Sequence, residues 1–198
     1  MAFWAHARLG ELLGLKRGDV DLEARTLRIE RQIVETDEGG ARETACKYGS
    51  CRTVHLSDQA LDALRAHLDR TGPALPTAPL FRRPAGDTLR AHHVHAAWKT
   101  ARRNSGLPGA HLHDLRHAGL TFVAQAGATV AELMRRGGYT STRAALIYQH
   151  AAEHRDAELA ERMTQLGNTT MINRSGTYVA RRPKTTNGES ATEGGTHP

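Results

Sequence analysis

Apolar residues recur every three or four positions along most of this chain, and every second position in one early stretch. Leu9, Leu12 and Leu13, with Ala5 before them, form a helical stripe, so a core helix is expected from about residue 5, with Arg8 near its start. Asp19-Val20-Asp21 reads as a turn. Thr26 to Val34 alternates apolar and polar residues and predicts a strand, which Gly39-Gly40 ends. Arg52 to Leu56 predicts a second strand, making 26–56 a small antiparallel sheet with Lys47 to Ser50 as the loop entering its last strand. Ser57 is a good N-cap for a helix with Leu61, Leu64 and Leu68 on one face. After a proline-rich loop over 72–79 and an extended Pro79-Leu80-Phe81, helices are expected over about 91–104, 113–126, 129–136 and 141–150. The last of these continues with a bend toward Met163. Past Gln165 the chain turns to Gly, Asn, Thr, Ser and Pro without apolar periodicity, which predicts a disordered tail over 167–198. The pattern is therefore α+β, mostly helical, with a small antiparallel β-sheet near the N-terminus.

Composition narrows the partner. With 27 Lys and Arg against 21 Asp and Glu, the formal charge is +6. The excess is concentrated: Arg82, Arg83, Arg90, Lys99, Arg102, Arg103 and Arg116 face only Asp87 and Asp114 in one window. Five histidines lie in the same window, so a positive field is focused where a polyanion could lie. Cys46 and Cys51 are too few for a disulfide framework, and their spacing fits neither a zinc finger nor a ribbon. No apolar run suggests a membrane span and no signal-peptide pattern is present, which makes the cytoplasm the expected compartment.

The chemistry concentrates between residues 113 and 148. His113 and Arg116 stand at i and i+3 in His-Asp-Leu-Arg-His, on one helical face, where a planar donor fork and a titratable imidazole could seat a phosphate. Tyr148 follows in Leu-Ile-Tyr-Gln-His, and a phenol can act as a covalent nucleophile when a base and a cationic pocket assist it. Taken in order, five features resemble the catalytic domain of the tyrosine recombinases, the phage-integrase family. They are Arg8 with Leu-Gly-Glu-Leu-Leu-Gly-Leu after it, Lys47 nine residues before Leu56, His113-x-x-Arg116, Gly138-Tyr139, and Tyr148-Gln149-His150-Ala151.

The resemblance implies a division of labour. Arg8 and Arg116 would neutralise the charge that builds on a phosphodiester as it is cleaved, Lys47 would protonate the leaving 5′-oxygen, and His113 would accept the proton of Tyr148. Tyr148 would form a 3′-phosphotyrosyl link that stores the bond energy, so neither ATP, a metal nor another cofactor is needed. Tyr139 stands where the family has a histidine or tryptophan, and its phenol can still donate one hydrogen bond to a phosphate oxygen. Arg82, Arg83, Arg90, Lys99, Arg102 and Arg103 are the expected DNA-binding residues. The implied partner is double-stranded DNA, with self-association into a tetramer on DNA for an intact family member, and no membrane. The resemblance also implies a catalytic domain over 1–166 that lacks its first helices and the N-terminal DNA-clamping domain, and therefore marginal stability and weak cleavage for 1–198 alone. The chain's origin would be bacterial, phage or mobile-element. Two rival readings are a fragment that binds DNA without turning over and a metal protein built on the scattered histidines.

Overall fold

The computed structural model describes residues 1–36, 39–47, 49–83, 89–149, 160, 161, 163, 164, 170–172 and 178–180. Contacts divide the chain into two compact units, Met1–Glu153 and His154–Pro198.

In the first unit, helix α1 spans Leu9–Gly14 and begins after Arg8, whose extended backbone makes it the N-cap. It therefore starts later than the leucine pattern predicts, and its buried face is also different. Glu11 and Gly14 are buried, while Leu9, Leu12 and Leu13 are half-buried. The reason lies in the glycines. A Cβ on Gly10 would come within 2.8 Å of the Ile33 carbonyl, and one on Gly14 within 3.0 Å of the Arg31 carbonyl. The helix lays its bare backbone side against the strand that carries those carbonyls.

The expected strand over 26–34 is two strands that part at Glu30. Strand β2 (Thr26–Ile29) lies between β1 (Val20–Asp21) and β5 (Arg52–His55) in an antiparallel sheet, pairing Leu27 with Val54 and Ile29 with Arg52. Strand β3 (Arg31–Glu35) instead forms a hairpin with β4 (Ala41–Ala45). At the break, the Glu30 carbonyl accepts the Cys46 N–H at 3.3 Å, and the Ile29 carbonyl accepts the Cys46 thiol at 3.3 Å. The pattern did not foretell β4, because Ala-Arg-Glu-Thr-Ala has no apolar alternation and is held by pairing rather than burial. Gly39 takes φ +75° in the turn between the two, a region that costs glycine little.

The helices come closer to expectation. Helix α2 (Asp58–Thr71) starts at Ser57, whose hydroxyl accepts the Ala60 N–H at 3.4 Å, and buries Leu61 and Leu64. Helix α3 (Ala91–Asn104) buries no residue fully. Helices α4 (Leu112–Gln125), α5 (Val130–Gly137) and α6 (Thr142–Gln149) pack together. Thr129 and Glu132 cap α5 reciprocally, and Gly138 ends it in the left-handed region.

Two apolar clusters result. One joins Leu15, Leu27, Ile29, Val54, Leu56, Leu61, Leu64 and Leu80; the other joins Leu120, Ala124, Leu133, Ala145 and Tyr148. Each large buried aliphatic contributes about 1.5–3 kcal/mol relative to exposure. In the second unit, β6 (Thr170–Ile172) pairs antiparallel with β7 (Tyr178–Ala180). Most of the expected tail over 167–198, and most of the expected continuation from residue 150 to Met163, lie outside the described residues.

Candidate active site

Arg116 sits one turn into α4 with only 1% of its surface exposed. Its Nη1 donates to the His6 carbonyl and its Nη2 to the Gly137 carbonyl. Burial is the main influence pulling its pKa below the usual arginine value, yet a guanidinium stays charged at any ordinary pH. Arg8 reaches the same place from the N-cap of α1. Its Nη2 donates to the Gly138 carbonyl at 3.1 Å and its Nη1 to Glu11 Oε1 at 2.8 Å. Both guanidiniums lie near the Tyr139 ring, 5.1 Å from its centroid for Arg116 and 5.9 Å for Arg8. Two chain segments more than a hundred residues apart thus place paired cations around the turn that ends α5.

Tyr148, from α6, closes the cluster. It is 4% exposed, and its hydroxyl lies 2.6 Å from His117 Nδ1 and 3.0 Å from the Tyr139 hydroxyl. Burial, and then the hydrogen bond with Tyr139, push its pKa up, while the Arg116 and Arg8 charges pull it down. A phenol held this way needs a base to ionise, and the imidazole in contact with it is that of His117. His113, expected to pair with Tyr148, lies one turn earlier on α4, its ring edge-on to His117 at 4.5 Å between centroids. Burial and then the His117, Arg116 and Arg8 charges lower the His113 pKa, which favours its neutral form. It lines a cavity of about 100 Å³ with Arg116, Leu9, Leu12 and His95.

Lys47 follows β4, and its side chain is exposed. Its carbonyl accepts the Ser50 N–H at 2.8 Å and the Ser50 hydroxyl at 2.7 Å. A Cβ on Gly49 would lie 3.4 Å from the Thr140 methyl, so this loop borders the turn that presents Tyr139. The structure therefore gathers Arg8, Arg116, Tyr139 and Tyr148 directly, His113 through His117, and brings the Lys47 loop to their edge.

The six expected DNA-binding cations separate into two groups. Arg82, itself exposed, donates to the Thr71 carbonyl at the end of α2, Arg90 to that of Gly39 and Arg102 to that of Ala110, at 2.8, 2.8 and 2.9 Å, so these three tie down backbone. Arg83, Lys99 and Arg103 are exposed, and Lys99 and Arg103 lie one turn apart on α3 beyond His95. Among the described residues no three His, Cys, Asp or Glu side chains converge as a metal site requires, and no described helix is long and apolar enough to cross a membrane.

Besides His117, two residues of the site went unnoticed in the sequence. Glu11, 2% exposed, accepts the Arg8 N–H at 2.9 Å and both terminal nitrogens of Arg52 at 3.1 and 3.0 Å. Burial raises its pKa, but the Arg52 hydrogen bonds and the Arg52 and Arg8 charges outweigh that and leave it below the ordinary carboxylate value. Arg52 shares the inward face of β5 with Val54, which was the available signal: a cation at an apolar position of an alternating strand.

Residues 2–155 match the model of the phage integrase family. The chain belongs to the phage integrase family. Among relatives of this integrase-family chain, the integrase of Mycobacterium phage L5 is 36% identical over 170 residues, covering 84% of this chain and 46% of the relative. The chain spans about half the length of the curated relatives it matches. The fold matches that of the Tn1549 transposon integrase, solved in complex with transposon right end DNA, with a TM-score of 0.66 at 19% identity over 80% of this chain and 56% of the other. It also matches the XerA recombinase, with a TM-score of 0.60 at 23% identity over 83% and 54% of the two chains.

Proposed function

We propose that this chain is the catalytic part of a tyrosine recombinase, cutting and rejoining duplex DNA through a 3′-phosphotyrosyl link at Tyr148. The observation that carries the reading is the Tyr148 hydroxyl, 2.6 Å from His117 Nδ1 and beside the ring that Arg8 and Arg116 flank. In this reading the Tyr148 oxygen attacks phosphorus and its proton passes to His117. The O5′–P bond breaks, and O5′ takes a proton from the Lys47 ammonium. Arg8 and Arg116 neutralise the non-bridging oxygens, each such donor being worth about 10²–10³ in rate. Tyr139 donates its hydroxyl to one of those oxygens, and His113, beside Arg116, steadies another. Religation reverses each transfer with the 5′-hydroxyl of another strand, so no ATP or metal enters.

Lys99 and Arg103 extend the positive surface along α3 from the cavity that His95, His113 and Arg116 line, with Arg83 as a further exposed cation, and the duplex would follow that surface. Arg82, Arg90 and Arg102 contribute through the backbone segments they tie down. Self-association on DNA into a four-chain complex, in the cytoplasm of a bacterial host, completes the proposal.

The test is a library of nicked duplexes of randomised sequence, selected for SDS-resistant attachment to the chain. We expect the parent and Tyr139→Phe to form adducts and Tyr148→Phe to form none while still binding duplex. An adduct retained by Tyr148→Phe and lost by Tyr139→Phe would move the nucleophile to residue 139. Duplex binding with no adduct from any of the three would leave a DNA-binding module.

A further inference from the structure

We propose that Arg52 is a positioning residue for this reaction, a buried hub that sets the catalytic groups relative to one another without touching DNA. The inference rests on the catalytic reading above. Arg52 lies in β5 with its side chain buried, and protein acceptors take all of its N–H bonds, which leaves none to offer a substrate. A guanidinium has five N–H bonds, and Arg52 makes five hydrogen bonds. Nε donates to the Arg136 carbonyl at 2.8 Å. Nη1 donates to Glu11 Oε1 at 3.1 Å and to the Ser50 carbonyl at 2.9 Å. Nη2 donates to Glu11 Oε2 at 3.0 Å and to the His6 carbonyl at 3.1 Å.

Every acceptor belongs to a segment that carries a proposed catalytic group. His6 lies two residues before Arg8, and Glu11 holds the Arg8 guanidinium directly. Ser50 ties down the Lys47 carbonyl. Arg136 precedes Gly137, whose carbonyl takes Arg116, and Gly138, whose carbonyl takes Arg8. The His6 carbonyl is shared between Arg52 and Arg116.

Two backbone features border this hub. His6 holds a left-handed φ of +53°, unusual for a residue with a Cβ. A Cβ on Gly138 would come within 2.7 Å of Arg52 Nη1, so the turn closes on the guanidinium only because residue 138 is glycine. If Arg52 served only to balance the Glu11 charge, lysine would serve as well. A hub needs the planar fork, which lysine lacks.

The test uses the full chain as Arg52→Lys, Arg52→Met and the pair Glu11→Gln/Arg52→Met, the last leaving no unpaired buried charge. Melting temperature, affinity for a short duplex of random sequence, and the adduct rate on the nicked randomised library are measured for each. We expect the folded variants, Arg52→Lys among them, to bind duplex as the parent does but to form adducts about 10²-fold more slowly, the loss typical of a misplacement near 1 Å. Parental adduct rates in Arg52→Lys, or losses that only track folded fraction or affinity, would overturn the proposal, as would failure of all three variants to fold. Should the parent itself form no adduct, the catalytic reading fails separately. Positioning is then read from the ¹H–¹⁵N resonance of the Arg116 guanidinium. A shifted or broadened Arg116 signal in Arg52→Lys supports the hub, and an unchanged one removes it.

Discussion

The two apolar clusters of the first unit are built on different terms. The sheet cluster is closed by aliphatic side chains: Leu27 and Ile29 of β2, Val54 of β5, Leu61 and Leu64 of α2. The helical cluster is smaller and includes Tyr148, whose hydroxyl is engaged by His117 and Tyr139. Beside it stand Arg116, Arg52, Glu11 and His6, all buried. An aliphatic core loses stability in proportion to the volume removed, and it holds no group that titrates. A buried polar cluster is different, because each charge is tolerable only while its partners remain. His6 shows the same rule in reverse: burial first, then the Arg136 charge, lower its pKa to about 3, so it is accommodated as a neutral ring. The sheet half thus acts as a platform, and the polar layer as the part where small changes alter chemistry.

Substitutions can break that contrast. The largest expected effect is at Arg116. Arg116→Met should lower the adduct rate by about 10²–10³-fold while duplex affinity changes little, since one buried donor contributes little to long-range attraction. Equal losses of rate and affinity would mean that Arg116 acts through binding.

Glu11→Gln comes next. It leaves the buried Arg52 charge without its partner and should cost about 3–5 kcal/mol near neutral pH. The pH dependence has a defined sign. The folded pKa of Glu11 lies below its ordinary value of 4.5, so its contribution is fully present above 4.5 and is lost as pH falls through the folded value. Denaturant titrations of parent and variant should therefore converge on the acid side. A gap that stayed constant with pH would show that the carboxylate charge is not what matters.

Leu64→Ala should cost about 2–5 kcal/mol by leaving a cavity in the sheet cluster. The adduct rate per folded molecule should not change, and a fall in that rate would show that the two clusters are energetically coupled. The smallest effect is expected at the surface. Lys99→Gln should weaken duplex binding about equally for all sequences and reduce the slope of log affinity against log salt by about 1. An unchanged slope would place the duplex elsewhere than along α3.

Much of this was legible along the chain. Ser57, Thr129 and Gly138 mark helix boundaries by local chemistry, and those signals need no tertiary partner. The residues matching the family's boxes likewise lie in five short stretches, each readable within a few positions. The leucine stripe of α1 misled because two glycines opposite it allow a closer contact, against a strand whose backbone position the sequence does not disclose. The break at Glu30 was invisible for a similar reason: continuous alternation sets which face a residue takes, not which strand becomes its neighbour.

What the sequence determined by itself was the succession of helices from α2 to α6, the family and the candidate site side chains, because each depends on residue type at short spacing. Only the tertiary structure decided that the imidazole against Tyr148 is His117 and not His113. It alone showed that Arg90 and Arg102 brace loops while Lys99 and Arg103 stay exposed, and that Arg52 joins residues 6, 11, 50 and 136. Those facts depend on which rotamers and which distant carbonyls meet once the helices close on the sheet, and short-range pattern carries no information about such meetings.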